Sequence, residues 1–81
     1  MDTRVAVIAV VIEDRRNIDA FNRLLHGYAD SIIGRMGIPY KERGVSLISI
    51  AIDAPADVIS ALSGKVGMLE GITAKTVYSK V

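Results

Sequence analysis

Asp14, Arg15, Arg16 and Asn17 are four consecutive polar residues in a chain of 81. With Glu13 they separate an unbroken apolar run, Val5 to Ile12 (VAVIAVVI), from a stretch whose apolar residues recur at helical spacing from Ile18 onward. The first turn of a helix leaves backbone N–H groups without partners and carries the positive end of the helix dipole, so it suits an anion. Two guanidinium groups beside it would add planar, two-pronged donors that fit carboxylate or phosphate. The quartet is a candidate binding site for a small anionic metabolite, with the turn Lys41 to Gly44 as further lining. It reads equally well as a charged turn that keeps a loop in solution.

Other chemistry is thinner. His26 is the sole histidine. Asp30 follows it at helical spacing, and such a pair can begin a metal site. With no cysteine and no second histidine, the ligand set would be complete only if several subunits pooled residues. A solvated surface histidine is the favoured reading, and no cofactor is expected. Gly34 to Gly37 (GRMG) has the G-x-x-G spacing of the loop that clamps a nucleic-acid backbone in KH domains, but its flanks read as strand. Ser63 to Gly67 (SGKVG) lacks the first glycine of a P-loop and has Val66 where magnesium would need Ser or Thr. Neither a nucleophile–base arrangement nor a carboxylate pair can be assembled, so the chain is not expected to be an enzyme.

The elements that must position these residues follow from periodicity. Arg4 to Glu13 reads as a strand in which both alternating sets are apolar, which places it centrally with both faces covered. Asp14 or Asn17 caps a helix whose inner face is Ile18, Phe21, Leu24, Leu25 and Tyr28. Ser31 to Tyr40 suits an edge strand, with Ile32, Met36, Ile38 and Tyr40 on one side, because an edge tolerates Pro39. After the Lys41 to Gly44 turn, Val45 to Asp53 is a second strand with Ile48, Ile50 and Ile52 on one face. Asp53 is a candidate cap and Pro55 fits the first turn of a helix carrying Val58, Ile59, Leu62, Val66 and Leu69, with Gly64 and Gly67 marking an early end. Ile72 to Lys80 alternates as a last strand. The order β-α-β-β-α-β is the ferredoxin-like split unit: one α+β domain over residues 1–81, a four-stranded antiparallel sheet with two helices on one face.

That architecture leaves the other face bare. With 51% hydrophobic and only 5% aromatic residues, the chain has more aliphatic surface than a small core can hide. The expectation is a homo-oligomer, dimer or tetramer, with a second copy over the bare face. Net charge is +1 with the basic residues scattered, so nucleic acid is not the expected partner. The N-terminus lacks a signal-peptide pattern and no apolar run reaches membrane-spanning length, so a cytoplasmic location without membrane contact is expected.

Leu24 to Tyr40 (LLHGYADSIIGRMGIPY) and Ala61 to Lys80 (ALSGKVGMLEGITAKTVYSK) resemble the iron-only hydrogenase system regulator family, stand-alone ACT-like domains of about this size. The resemblance runs nearly end to end and is most specific in the LSGK run and the Gly-Ile that follows it. It implies a ferredoxin-like fold, self-association, and kinship with the C-terminal domain of the nickel-responsive regulator. ACT domains that bind amino acids usually carry Asp-Arg-Pro-Gly after the first strand; here Asn17 stands at the glycine. Nickel-regulator domains pool several histidines, and this chain has only His26. The function expected is ligand sensing by a self-associating regulatory domain, with output through a regulatory protein partner. The alternatives are a structural or interaction module without ligand and, less favoured, direct DNA binding by the oligomer.

Overall fold

The computed structural model describes residues 2–80. Strands β1 (Arg4–Ile12), β2 (Ile32–Tyr40), β3 (Val45–Ala54) and β4 (Ile72–Tyr78) form one antiparallel sheet in the order β2-β3-β1-β4. Helices α1 (Ile18–Gly27) and α2 (Ala56–Gly67) supply the second layer. The doubly apolar strands β1 and β3 are the central pair, with Ile8 opposite Ile50 and Val10 opposite Ile48. Central strands need apolar residues on both sides when both faces are covered, and this sequence pattern puts them there.

The core lies on the helix side. Ala6, Ile8, Val10 and Ile12 alternate into it from β1, and Ile48, Ile50, Ile52 and Ala54 from β3. Phe21 and Leu25 reach it from α1; Ile59, Leu62 and Val66 reach it from α2. No polar or charged side chain among the described residues is buried. The core is therefore held by apolar packing, mostly aliphatic with Phe21 as its one aromatic side chain, and everything polar among the described residues sits at the rim.

Local details depart from the sequence pattern in three places. Asp53 does not cap α2: it lies within β3, and Pro55 occupies the cap position with φ −56° and no side-chain bond. A proline there lacks only an N–H that the helix leaves unpaired. Helix α2 runs through Gly64 to Gly67 rather than ending early, since its buried stripe of Ile59, Leu62 and Val66 anchors the last turn. In β2 the pairing shifts between Ile32 and Gly34: Ile32 lies opposite Ile52, yet Gly34 lies opposite Ala51. This irregularity puts Ile32 on the helix side and Met36, Ile38 and Tyr40 on the other, where a regular strand would keep all four together.

The second face of the sheet has no helix over it. Val5 and Val7 of β1, Leu47 of β3, Met36, Ile38 and Tyr40 of β2 and Val77 of β4 are all exposed, Val77 at 68% and Met36 at 67%. The chain's accessible surface is 5474 Å². A compact monomer of this mass exposes roughly 4,700 Å².

Candidate functional site

The end of β1 and the start of β4 are neighbours because the two strands pair antiparallel, with Ile12 opposite Ile72. The loop leaving β1 therefore runs beside the turn entering β4, and the two are tied together. The amides of Glu13 and Asp14 both donate to the Gly71 carbonyl, at 2.7 and 3.3 Å. Asp14 is extended (φ −143°), and its Oδ1 accepts the Arg16 backbone N–H at 2.9 Å, which starts a single 3-10 turn over Arg15–Asn17. The Arg16 guanidinium reaches Asp14 Oδ2 at 2.8 Å and Glu70 Oε2 at 3.0 Å. Asn17 caps nothing; its Nδ2 donates to the Glu70 carbonyl at 3.1 Å.

Gly71 permits this contact. Its φ is +82°, and a Cβ at that position would lie 2.4 Å from Asp14 Cβ. Only glycine adopts that conformation readily and only glycine fits. The exposed ion pairs add little stability individually, since solvent screens them. The close backbone contact and the two amide bonds to Gly71 hold the clasp, while the ion pairs set its register. The hydrogen bond from the Arg16 amide, then that from its side chain, then its charge hold the Asp14 carboxyl below the ordinary aspartate range.

The clasp divides the quartet. Asp14, Arg16 and Asn17 have side-chain partners, whereas the Arg15 side chain makes no hydrogen bond or ion pair among the described residues. It lines a cavity of about 380 Å³ with Pro39, Tyr40, Lys41, Gly44, Val45 and Ser46. Gly44 closes the β2–β3 hairpin at φ +68°. Glu42, the acid of that hairpin, accepts from the Tyr40 hydroxyl at 3.4 Å. Two cations, a hydroxyl-bearing serine and backbone groups thus face one space. Glu70, Gly71, Tyr40 and Ser46 were not among the residues expected at the site. The strand order alone would have placed Gly71 beside Asp14.

The remaining candidates lie elsewhere. His26 is exposed, beside Asn22, Leu25, Ala29, Ile32 and Arg35. Helix α1 ends at Gly27, so Asp30 falls in a separate 3-10 turn and is not on the same helical face. Among the described residues no group of three or more His, Cys, Asp or Glu could hold a metal ion. The GRMG run is strand within β2, and SGKVG is helix within α2, where Lys65 Nζ donates to the Tyr28 hydroxyl at 3.0 Å. Among the described residues no helix is long and apolar enough to cross a membrane.

Fold and site together define a ferredoxin-like α+β domain whose first loop and hairpin frame a cationic cavity. The chain belongs to the TM1266-like family, described as "Iron-only hydrogenase system regulator, putative", whose profile matches residues 4–76. It is also similar to the solved structure of uncharacterized protein TM1266 from Thermotoga maritima. The two are 35% identical with a TM-score of 0.93, over 98% of this chain and 100% of that one. No curated protein matches the chain.

Two measurements test the clasp. Gly71→Ala should lower stability by about 1–3 kcal/mol, from the positive φ and the clash with Asp14 together. Gly44→Ala, also at positive φ but facing open space, should lose only about 1 kcal/mol. Equal urea midpoints for the two variants would show that the Asp14–Gly71 approach is not a constraint. The second is acid sensitivity. A carboxyl with a lowered folded pKa contributes stability that is fully present above its unfolded value and is lost as pH falls through the folded value. The gap in urea midpoint between the unsubstituted chain and Asp14→Asn should therefore be constant near neutrality and narrow below about pH 4. A gap unchanged from pH 6 to pH 2 would rule out the Asp14–Arg16 pairing as its source.

Proposed function

We propose that this chain is a self-associating regulatory domain that senses a small anion and acts through a protein partner in the cytoplasm. The observation that carries the reading is Arg15: a guanidinium without a partner among the described residues, bordering a cavity that also presents Lys41, on a loop whose other polar residues are already engaged. An unpaired cation on a tied-down loop beside a concave site favours carboxylate or phosphate. The family description supplies the regulatory context, an iron-only hydrogenase system. A net charge of +1 argues against DNA as the direct target, because phosphate neutralisation supplies most non-specific affinity.

Self-association is supported by area. The surface exceeds that of a compact monomer of this mass by roughly 700 Å². A standard interface buries about 800 Å² per partner. The bare sheet face is rich in Val, Leu, Ile and Met, and of the charged residues on the sheet's central and fourth strands only Asp53 and Lys75 share its side. Binding of an anion beside the β2–β3 hairpin would change the balance between subunit arrangements if one arrangement binds it better.

Light scattering at micromolar concentration should give a mass that is a multiple of 8.7 kDa, and Leu47→Glu should reduce it to 8.7 kDa. A monomeric unsubstituted chain would remove the self-association half of the proposal. For the sensing half, a thermal-shift screen would cover inorganic phosphate, carboxylates, nucleotides, amino acids and metal ions. At least one anion should raise Tm by several degrees when present well above its Kd. Arg15→Ala should abolish that rise, whereas Arg16→Ala should lower the starting Tm and keep it. No response to any compound, or a response that survives Arg15→Ala, would sink it.

A further inference from the structure

Helix α1 leaves the helix side of β2 open. Every residue of β2 after Ile32 is exposed, on both faces. On the helix side these are Arg35, Gly37 and Pro39, opposite Ile50, Ile48 and Ser46. The gap between α1 and β2 is a channel of about 230 Å³. Ile12, Ile18, Gly37 and Ile48 give it an apolar floor, and Arg15, Asn22 and Arg35 stand on its rim. Arg35 is fixed in place: it donates to Asn22 Oδ1 at 3.3 Å and its guanidinium lies 5.7 Å from the Phe21 ring centroid. Arg15, Pro39 and Ser46 border both this channel and the hairpin cavity, so the two spaces meet at Arg15.

Gly37 keeps the floor open. A Cβ there would touch only Ile48 Cγ1, at 3.6 Å, an ordinary contact. Glycine weakens a strand and no turn or positive φ calls for it here. Its effect at this position is to leave unfilled an apolar floor that a Val or Leu would occupy. The lining of the channel and of the adjoining cavity contains no carboxylate, so a ligand's ammonium group would meet no opposite charge in it while an anionic end would find two guanidiniums.

We infer that the α1–β2 channel receives the apolar body of an organic anion, a short-chain carboxylate or its like, whose charged end meets Arg15. This rests on the anion-sensing role of Arg15 and names the ligand class for it. Each methylene buried in the channel multiplies affinity by up to roughly fourfold.

NMR titration with sodium acetate, sodium hexanoate and hexylammonium chloride tests the inference. Hexanoate should bind at least ten times more tightly than acetate and shift the amides of Ile18, Gly37 and Ile48. Hexylammonium should not shift them. Gly37→Leu should bring hexanoate down to the affinity of acetate and leave acetate unchanged, and Arg15→Ala should weaken both anions. If Gly37→Leu lowers Tm, the shift map of the unsubstituted chain decides instead. The channel is excluded if hexanoate binds no better than acetate, if Gly37→Leu leaves hexanoate unaffected, or if hexylammonium binds as well as hexanoate. When acetate binding still depends on Arg15 in those cases, anion sensing survives without the channel. If neither anion binds, or neither depends on Arg15, both readings fall.

Discussion

Two helices can shield one side of a four-stranded sheet, and the side chains of each strand alternate between its sides. In this chain the strands at the centre are apolar on both. The helix side takes Ile8, Val10, Ile50 and Ile52 to zero or near-zero exposure. The same alternation delivers Val5, Val7 and Leu47 to the opposite side, where nothing from the chain itself covers them. A soluble monomer seldom displays so continuous an apolar surface. The fold has a complete core and one uncovered apolar face, and the proposed self-association rests on that asymmetry rather than on any single residue.

Strand order also decides which polar groups meet. Because β4 lies beside β1, the loop after β1 and the turn before β4 lie side by side at one end of the sheet. Gly71, with its positive φ and absent side chain, lets the Asp14 backbone come against it. Asp14, Arg16 and Asn17 are then drawn into one clasp with Glu70 and Gly71. A loop fixed in this way loses little further conformational freedom when a ligand arrives, which favours binding at the side chain it leaves unengaged. The clasp and the availability of Arg15 are two consequences of one packing contact.

Much of this was legible in the residues. Unbroken apolarity identified β1 as central, and helical periodicity identified Phe21, Leu25, Ile59, Leu62 and Val66 as inward-facing. Those signals are local, repeated every two to four residues, and enforced by burial. What escaped was set by distant partners. Asp53 has the chemistry of a helix cap, but pairing with Val5 keeps it in β3. Asn17 precedes a helix, but its amide is taken by Glu70, 53 residues away. Glu70 and Gly71 meet Asp14 only because β4 pairs with β1. The presence of Arg15 in a polar loop could be read from sequence; that it alone of the quartet lacks a side-chain partner could not.

The irregularity in β2 shows how much can depend on one unpaired residue. Without it, Ile32 would share a face with Met36, Ile38 and Tyr40. Either Ile32 would leave its place against the core, or those three side chains would crowd the space below α1. The register shift at Ile33 resolves the conflict. Ile32 joins the core, and the three large apolar residues line up with Ser49, Leu47 and Val45 on the bare face. Arg35, Gly37 and Pro39 turn toward the helix side instead. One inserted residue thereby widens the apolar surface available to a second copy and makes the channel beside α1 both cationic and open. The two features proposed for this protein, a face for association and a site for an anion, lie on opposite sides of the same strand. Any movement of β2 on assembly would be felt at the site directly, through the backbone they share.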